Sequence, residues 1–411
     1  MLRAVSDPLR VIVAAVSSTG HTLPVIALSR ELRARGHEVL VETAERWRDV
    51  VEELGLGFAA GQENAVSELA DDGVESPWSF PSAEAAPHVA RALVPTVREF
   101  GADVVVSDLF TLAPPLAAEL AGAPAASLIP HVYPVDEPGL PFYMWGMQPP
   151  RTPLGSAAWR ALSPLAQPAL RQGRRALNEA RAELGLPPLQ RFHGQVSDRL
   201  AIVATFPQLE YPRRWPAHVH VTGPMFFELP HPEVELPPSE EPLVLVAGST
   251  FQEPERLVRV TLEALSEEPV RVVATTNRPG REWSGPLPDN AAVVDWVSYA
   301  QVMPRASLVV CNGGHGTVVR ALAEGVPVLV SPASKDFADM AENGARVAWA
   351  GAGLMLPKRW LRPGSLRWAV RSLLSDPRFA ARARAIAAWG RENDGAASGA
   401  ELVERCARSS G

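Results

Sequence analysis

CNGGHGT, residues 311–317, stands between SLVV (307–310) and VVRALAEG (318–325). The first flank is a short apolar run of the kind buried in parallel sheets. The second has helical spacing and ends on Gly325. Three glycines, a histidine and a threonine therefore sit at the carboxyl end of a parallel strand, where open α/β sheets bind ligands. A helix start leaves four backbone N–H groups unpaired and carries partial positive charge. Glycines let an anion reach those groups with no Cβ in the way. A phosphate or diphosphate is the natural ligand, and Thr317 adds a hydroxyl. The plain alternative is a tight turn with ordinary glycines, because a lone glycine loop is a weak signal.

Working outward, LVLVAGST (243–250), RVVATT (271–276), AAVVDWV (291–297) and VPVLVSP (326–332) read as further strands with helices between them. A first set opens the chain. RVIVAAV (10–16) is a strand, SSTGH a turn, LPVIALSRELRARG (23–36) a helix closed by Gly36, and HEVLVET (37–43) a second strand. Strand, helix and strand in about 35 residues make a βαβ unit. ADVVVSDLF (102–110) and AASLIP (125–130) continue that sheet. Residues 228–242 hold five prolines and five glutamates without periodicity, which suits an extended linker. The fold expected is α/β, two doubly wound Rossmann-like domains: 1–227, linker 228–242, and 243–411, with the last helices free to pack on either.

The chain has 411 residues, a net charge of -7 and 46% hydrophobic residues, enough for full cores. An acidic balance argues against a general nucleic-acid binder. Cys311 and Cys406 make no CxxC pair or disulfide framework, so a reducing cytoplasm is the simplest location. No stretch must span a bilayer, and no stable membrane insertion is expected. There is no GxxxxGK[ST], GxSxG or HExxH, and no Asp-x-Asp pair to hold a metal, so no metal site and no cofactor are expected. Gly55-Leu56-Gly57 follows a helical pattern and reads as a turn.

Five stretches in order carry a resemblance: GHTLP (20–24) with RGHEV (35–39), ADVVVSD (102–108), Trp296, the glycine loop with GVPVLVSP (325–332), and Asp339 with Asn343. Together they resemble the inverting nucleotide-sugar glycosyltransferases of the GT-B fold, family GT1, in their actinobacterial natural-product branch. The resemblance implies an acceptor in the first domain and a UDP- or dTDP-sugar co-substrate in the second. It implies His21 as general base, with Asp108 orienting it, a role that suits an imidazole near neutral pH. Gly314, Gly316 and Thr317, with Ser249 and Thr250, would meet the leaving diphosphate. Trp296 would stack on the base, the Val297 backbone would read its edge, and Asp339 would hold sugar hydroxyls.

The pattern also departs from the family. Asn312 replaces a usual His, and His315 is placed to supply an imidazole instead. Arg320 replaces a ribose-gripping Glu, and Met340 a Gln. These changes favour a sugar with fewer hydroxyls, such as a deoxysugar. The acceptor is expected against Trp78, Phe80, Tyr133, Phe142, Tyr143, Met144 and Trp145, in loops that suit a small apolar or aromatic molecule. The same aromatics suit a core, a membrane-facing patch or a homodimer contact. Alternatives are a non-catalytic glycosyltransferase-like partner, supported only by Asn312 and Arg320, and a cell-wall lipid glycosyltransferase of the same fold.

Overall fold

The computed structural model describes residues 7–61, 83–191, 196–230, 240–248, 254–277, 283–332 and 338–409. The first sheet holds β1 (Arg10–Ala14), β2 (Glu38–Thr43), β3 (Gly57–Ala60), β4 (Val104–Asp108), β5 (Ala125–Ile129), β6 (Ala201–Val203) and β7 (Val219–Val221). All neighbours run parallel, in the order β3-β2-β1-β4-β5-β6-β7. Its connections carry α1 (Thr19–Ala34), α2 (Arg48–Glu53), α3 (Ala86–Phe100), α4 (Ala113–Ala121), α5 (Pro153–Leu162) and α6 (Gln167–Glu183).

The second sheet holds β8 (Leu243–Ala247), β9 (Arg271–Thr275), β10 (Ala291–Val294), β11 (Leu308–Cys311), β12 (Val328–Val330) and β13 (Gly353–Met355). It is also parallel, in the order β10-β9-β8-β11-β12-β13. Its helices are α7 (Pro254–Leu265), α8 (Tyr299–Val302), α9 (His315–Ala323), α10 (Ala338–Ala350), α11 (Pro363–Ser375), α12 (Pro377–Glu392) and α13 (Gly395–Arg408).

Both sheets reverse winding direction beside their first strand, between β1 and β4 and between β8 and β11. Such switch points open a crevice at the carboxyl ends of the strands. The central strands are apolar on both faces because helices cover both. One face of the first sheet packs on α1 and α13, the other on α3 and α4. The C-terminal helix thus returns to the first sheet. Val132, Phe206 and Leu209, from beyond β5 and β6, join the core of the second sheet, so an apolar seam connects the two halves.

The expected strands lie where their apolar runs placed them. β3, β6, β7 and β13 were not anticipated; each has only three or four residues. Helix α1 starts at Thr19 rather than at residue 23, so the expected SSTGH turn is largely its first turn. Gly55, at φ 69, does end a helix, and it leads into β3. Of the expected linker, residues 231–239 lie outside the described residues, but Glu228 is anchored to the second sheet: its carboxylate accepts from Ser298 Oγ at 2.7 Å and Arg320 Nη2 at 2.7 Å.

Candidate active site

His21 comes from the first turn of α1 and Asp108 from the last position of β4, the two elements that flank the first switch point. His21 Nδ1 lies 2.7 Å from Asp108 Oδ2. Asp108 is buried, and its other oxygen accepts the Phe110 N–H at 2.8 Å. An ionised carboxylate only accepts, so Nδ1 carries the proton and Nε2 the lone pair. The Phe110 ring stands 4.9 Å from the imidazole and walls one side. Asp103, exposed just before β4, accepts the Arg10 N–H at 2.7 Å and ties β4 to β1.

Across the cleft, β11 ends at Cys311 and α9 begins at His315. Its N-cap is Gly314, and among the described residues no side-chain hydrogen bond caps that helix start. Among the described residues, a Cβ built on Gly314 or Gly316 meets no atom within 4 Å, so both glycines border open space beside the backbone donors of a helix start. An anion fits there. Gly313 is required for a different reason, since its φ is 97 and a Cβ would come 2.6 Å from the Met340 carbonyl oxygen. Asn312 is buried, donates to the Ser331 carbonyl at 3.4 Å, and leaves Oδ1 without a partner among the described residues. Thr317 is half-buried beside the Tyr299 hydroxyl. Trp296 is half-buried past β10, and Val297 is buried. Cys311 is inert, because burial pushes its thiol up to about 12.

Three donor-side residues have partners within the protein. His315 is buried, its Nδ1 is committed to Asn343 Oδ1 at 3.0 Å, and burial lowers its pKa to about 4. Burial therefore favours its neutral imidazole. Arg320 is held by Glu228 and lies 4.9 Å over the Phe226 ring, so its charge is already matched. Met340 is buried, with its backbone against Gly313. Asp339, in the first turn of α10, is half-buried; burial raises its pKa and the charge of His21 opposes that rise. Ser249 and Thr250 lie outside the described residues.

The acceptor-side loop follows β5. Tyr133 is buried, its ring 5.4 Å from Trp215 with Arg213 over it at 4.9 Å, so it is loop core rather than pocket wall. Tyr143 is half-buried; it packs on the seam and stacks 6.2 Å from His131. Phe142 is buried against Trp145 and Trp159. Met144 and Trp145 are exposed, and Met144 holds a φ of 71, a strained value for a residue with a side chain. Trp78 and Phe80 lie outside the described residues.

Sequence reading missed His131. Its ring is 6.1 Å from that of His21, Nδ1 donates to the Val132 carbonyl at 2.7 Å, and Nε2 is buried with no partner among the described residues. Burial lowers its pKa to about 3, so it is a neutral acceptor facing the proposed base. The signal was available: His131 closely follows the end of a parallel strand beside the switch point. Asn277 was missed too; at φ 51 it donates to the Tyr299 hydroxyl at 3.3 Å near the carboxyl end of β9.

Comparison with known proteins agrees with this fold. The family described as the erythromycin biosynthesis protein CIII-like C-terminal domain matches residues 259–408. The 4'-demethylrebeccamycin synthase of Lentzea aerocolonigenes is 30% identical, over 96% of this chain and 99% of its own. The O-mycaminosyltylonolide 6-deoxyallosyltransferase of Streptomyces fradiae is 29% identical, over 97% and 98%. The crystal structure of the glycotransferase of kitacinnamycin superposes with a TM-score of 0.77 at 22% identity, over 98% and 100%, and shows the same GT-B fold. The alternative of a non-catalytic partner is set aside, and the chain belongs to the GT1-type glycosyltransferases of natural-product pathways.

Proposed function

We propose that the protein transfers a sugar, with inversion, from a UDP- or dTDP-sugar to a hydroxyl of a small, largely apolar natural product. The observation that carries this reading is the 2.7 Å His21–Asp108 pair at the first switch point. His21 Nε2 takes the acceptor proton while the acceptor oxygen bonds to the anomeric carbon. The bond from that carbon to the diphosphate breaks, and its electron pair leaves with the diphosphate. Asp108 fixes the tautomer and stabilises the imidazolium. The open space at Gly314 and Gly316 receives the leaving diphosphate on the N–H groups of α9. Asp339 meets sugar hydroxyls. Of the two sheets, the first and its loops hold the acceptor and the second holds the nucleotide sugar. Met340 is packing, which leaves fewer polar groups for the sugar and favours a deoxysugar donor; the 6-deoxyallosyl specificity in the name of the Streptomyces relative supports this.

His21→Ala is expected to bind UDP or dTDP with unchanged affinity and to lose transfer by about 10²–10⁴-fold, the usual worth of a general base. The check is isothermal titration with each nucleotide beside single-turnover transfer. Normal transfer by the variant overturns the mechanism. Retained anomeric configuration in the product, read by proton coupling constants, overturns the inversion.

A further inference from the structure

We propose that Arg346 is a positioning residue that couples the acceptor-side loop, residues 131–147, to the donor-side helix α10. Seating a nucleotide on the glycine loop is then felt across the cleft. The proposal rests on the donor-cradle reading given above.

Arg346 is 5% exposed. Its Nε donates to Glu342 Oε1 at 2.9 Å, one turn earlier on α10. Its Nη1 donates to Glu210 Oε2 at 2.8 Å and to the Leu209 carbonyl at 3.0 Å, both beyond β6. The guanidinium lies 4.1 Å over the Tyr211 ring. Both carboxylates use their second oxygen to hold the acceptor loop. Glu210 Oε1 accepts the Tyr133 N–H at 2.6 Å, and Glu342 Oε2 accepts the Gly146 N–H at 3.2 Å. The Tyr211 hydroxyl donates to the Met147 carbonyl at 3.0 Å. One guanidinium therefore ties both ends of a loop that also stores strain at Met144.

The same helix holds the glycine loop. Asn343, next to Glu342, donates from Nδ2 to the Gly313 carbonyl at 2.9 Å and meets His315 Nδ1 through its oxygen. The Met340 carbonyl packs on Gly313, and Asp339 stands one residue earlier. On the other side, Gly146 at φ 63 packs so closely on Ala341 that a Cβ would fall 2.7 Å from its Cβ. Residues 339–346 thus touch the donor cradle with some side chains and the acceptor loop with others.

A buried ion network is a weak source of stability, since apolar side chains of similar volume often do as well. Its better use is to select one arrangement. Removing the guanidinium strands two carboxylates and frees both ends of the loop, while the contacts of Asn343 with Gly313 and His315 remain.

The test is amide hydrogen exchange by mass spectrometry on the full chain, with and without saturating UDP or dTDP. In the wild type, a nucleotide is expected to slow exchange in peptides covering 308–323 and also in those covering 131–147. Arg346→Met should keep the first response, with nucleotide affinity within about threefold, and lose the second, because the coupling and not the site is removed. Arg346→Lys should restore part of the loop response. Should Arg346→Met fail to fold, Glu342→Gln, which keeps an acceptor for the Gly146 N–H, should weaken the loop response. The proposal is overturned if the wild-type loop does not respond while 308–323 does, or if the variants respond like the wild type. Protection of neither segment by either nucleotide overturns the donor-cradle reading, and this inference with it.

Discussion

Gly313 and Gly316 lie three positions apart and answer to opposite demands. Gly313 has left-handed backbone with Met340 and Val330 packed on it; Gly316 looks onto open space. Gly313→Ala is therefore expected to destabilise the fold by about 2 kcal/mol or more, from the backbone penalty and the crowding together. Gly316→Ala should fold normally and bind UDP or dTDP about tenfold more weakly, because its methyl enters the space assigned to the diphosphate. Urea unfolding beside nucleotide titration separates the two; a stable Gly313→Ala or a tightly binding Gly316→Ala contradicts the assignment. The sequence showed that glycines cluster here, since strand and helix flank them. It did not show which glycine is structural, because that depends on φ and on Met340, a residue brought in from another helix. His21 and Asp108 were legible for the converse reason: each is fixed by the end of its own strand or helix. The partners of Arg320 and His315, Glu228 and Asn343, were not legible because they lie far along the chain.

At the scale of elements, strands were legible where an apolar run was long enough to be buried on both faces, as in β1, β4 and β8. Three-residue strands such as β6 and β7 carry too little pattern to stand out, and tertiary pairing alone makes them strands. The placement of α13 was equally illegible, since its apolar face suits either sheet. Polar contacts fix the choice. The Leu9 N–H donates to His37 Nδ1 at 3.2 Å, which leaves the proton on Nε2, 3.1 Å from Glu404 Oε1 on α13. Arg35, at the end of α1, reaches the same carboxylate oxygen at 3.4 Å and the Ala397 carbonyl at 3.0 Å. Glu404→Ala leaves the buried His37 N–H without this acceptor and is expected to cost about 1–3 kcal/mol. The reading is chemical denaturation, with Glu404→Gln as the milder variant. Equal stability of Glu404→Ala and wild type would mean that apolar packing alone seats α13.

For the whole molecule, the seam between the sheets encloses two neutral histidines, and this sets an acid limit. Burial lowers His131 to about 3 and His315 to about 4, from 6.5. In the unfolded chain both take up protons below about 6.5; in the native state they cannot until the pH is far lower. The unfolded state thus binds more protons over that interval, and stability falls with pH by up to about 1.4 kcal/mol per unit for each histidine. Groups packed around them act in the other direction. Burial raises Asp339 and Glu342, so these carboxylates protonate in the native state before they do in the unfolded chain, which offsets part of the loss near their own titration range. The loss due to the histidines sets in as the pH falls through about 6.5 and is close to its full slope below about 5.5. A thermal melt series from pH 7 to 5 should show Tm falling, and His131→Phe, which keeps a ring beside Tyr143 but binds no proton, should show a shallower fall. An identical slope in that variant would mean that His131 opens to water and titrates normally, and the seam would then not be the element that acid breaks first.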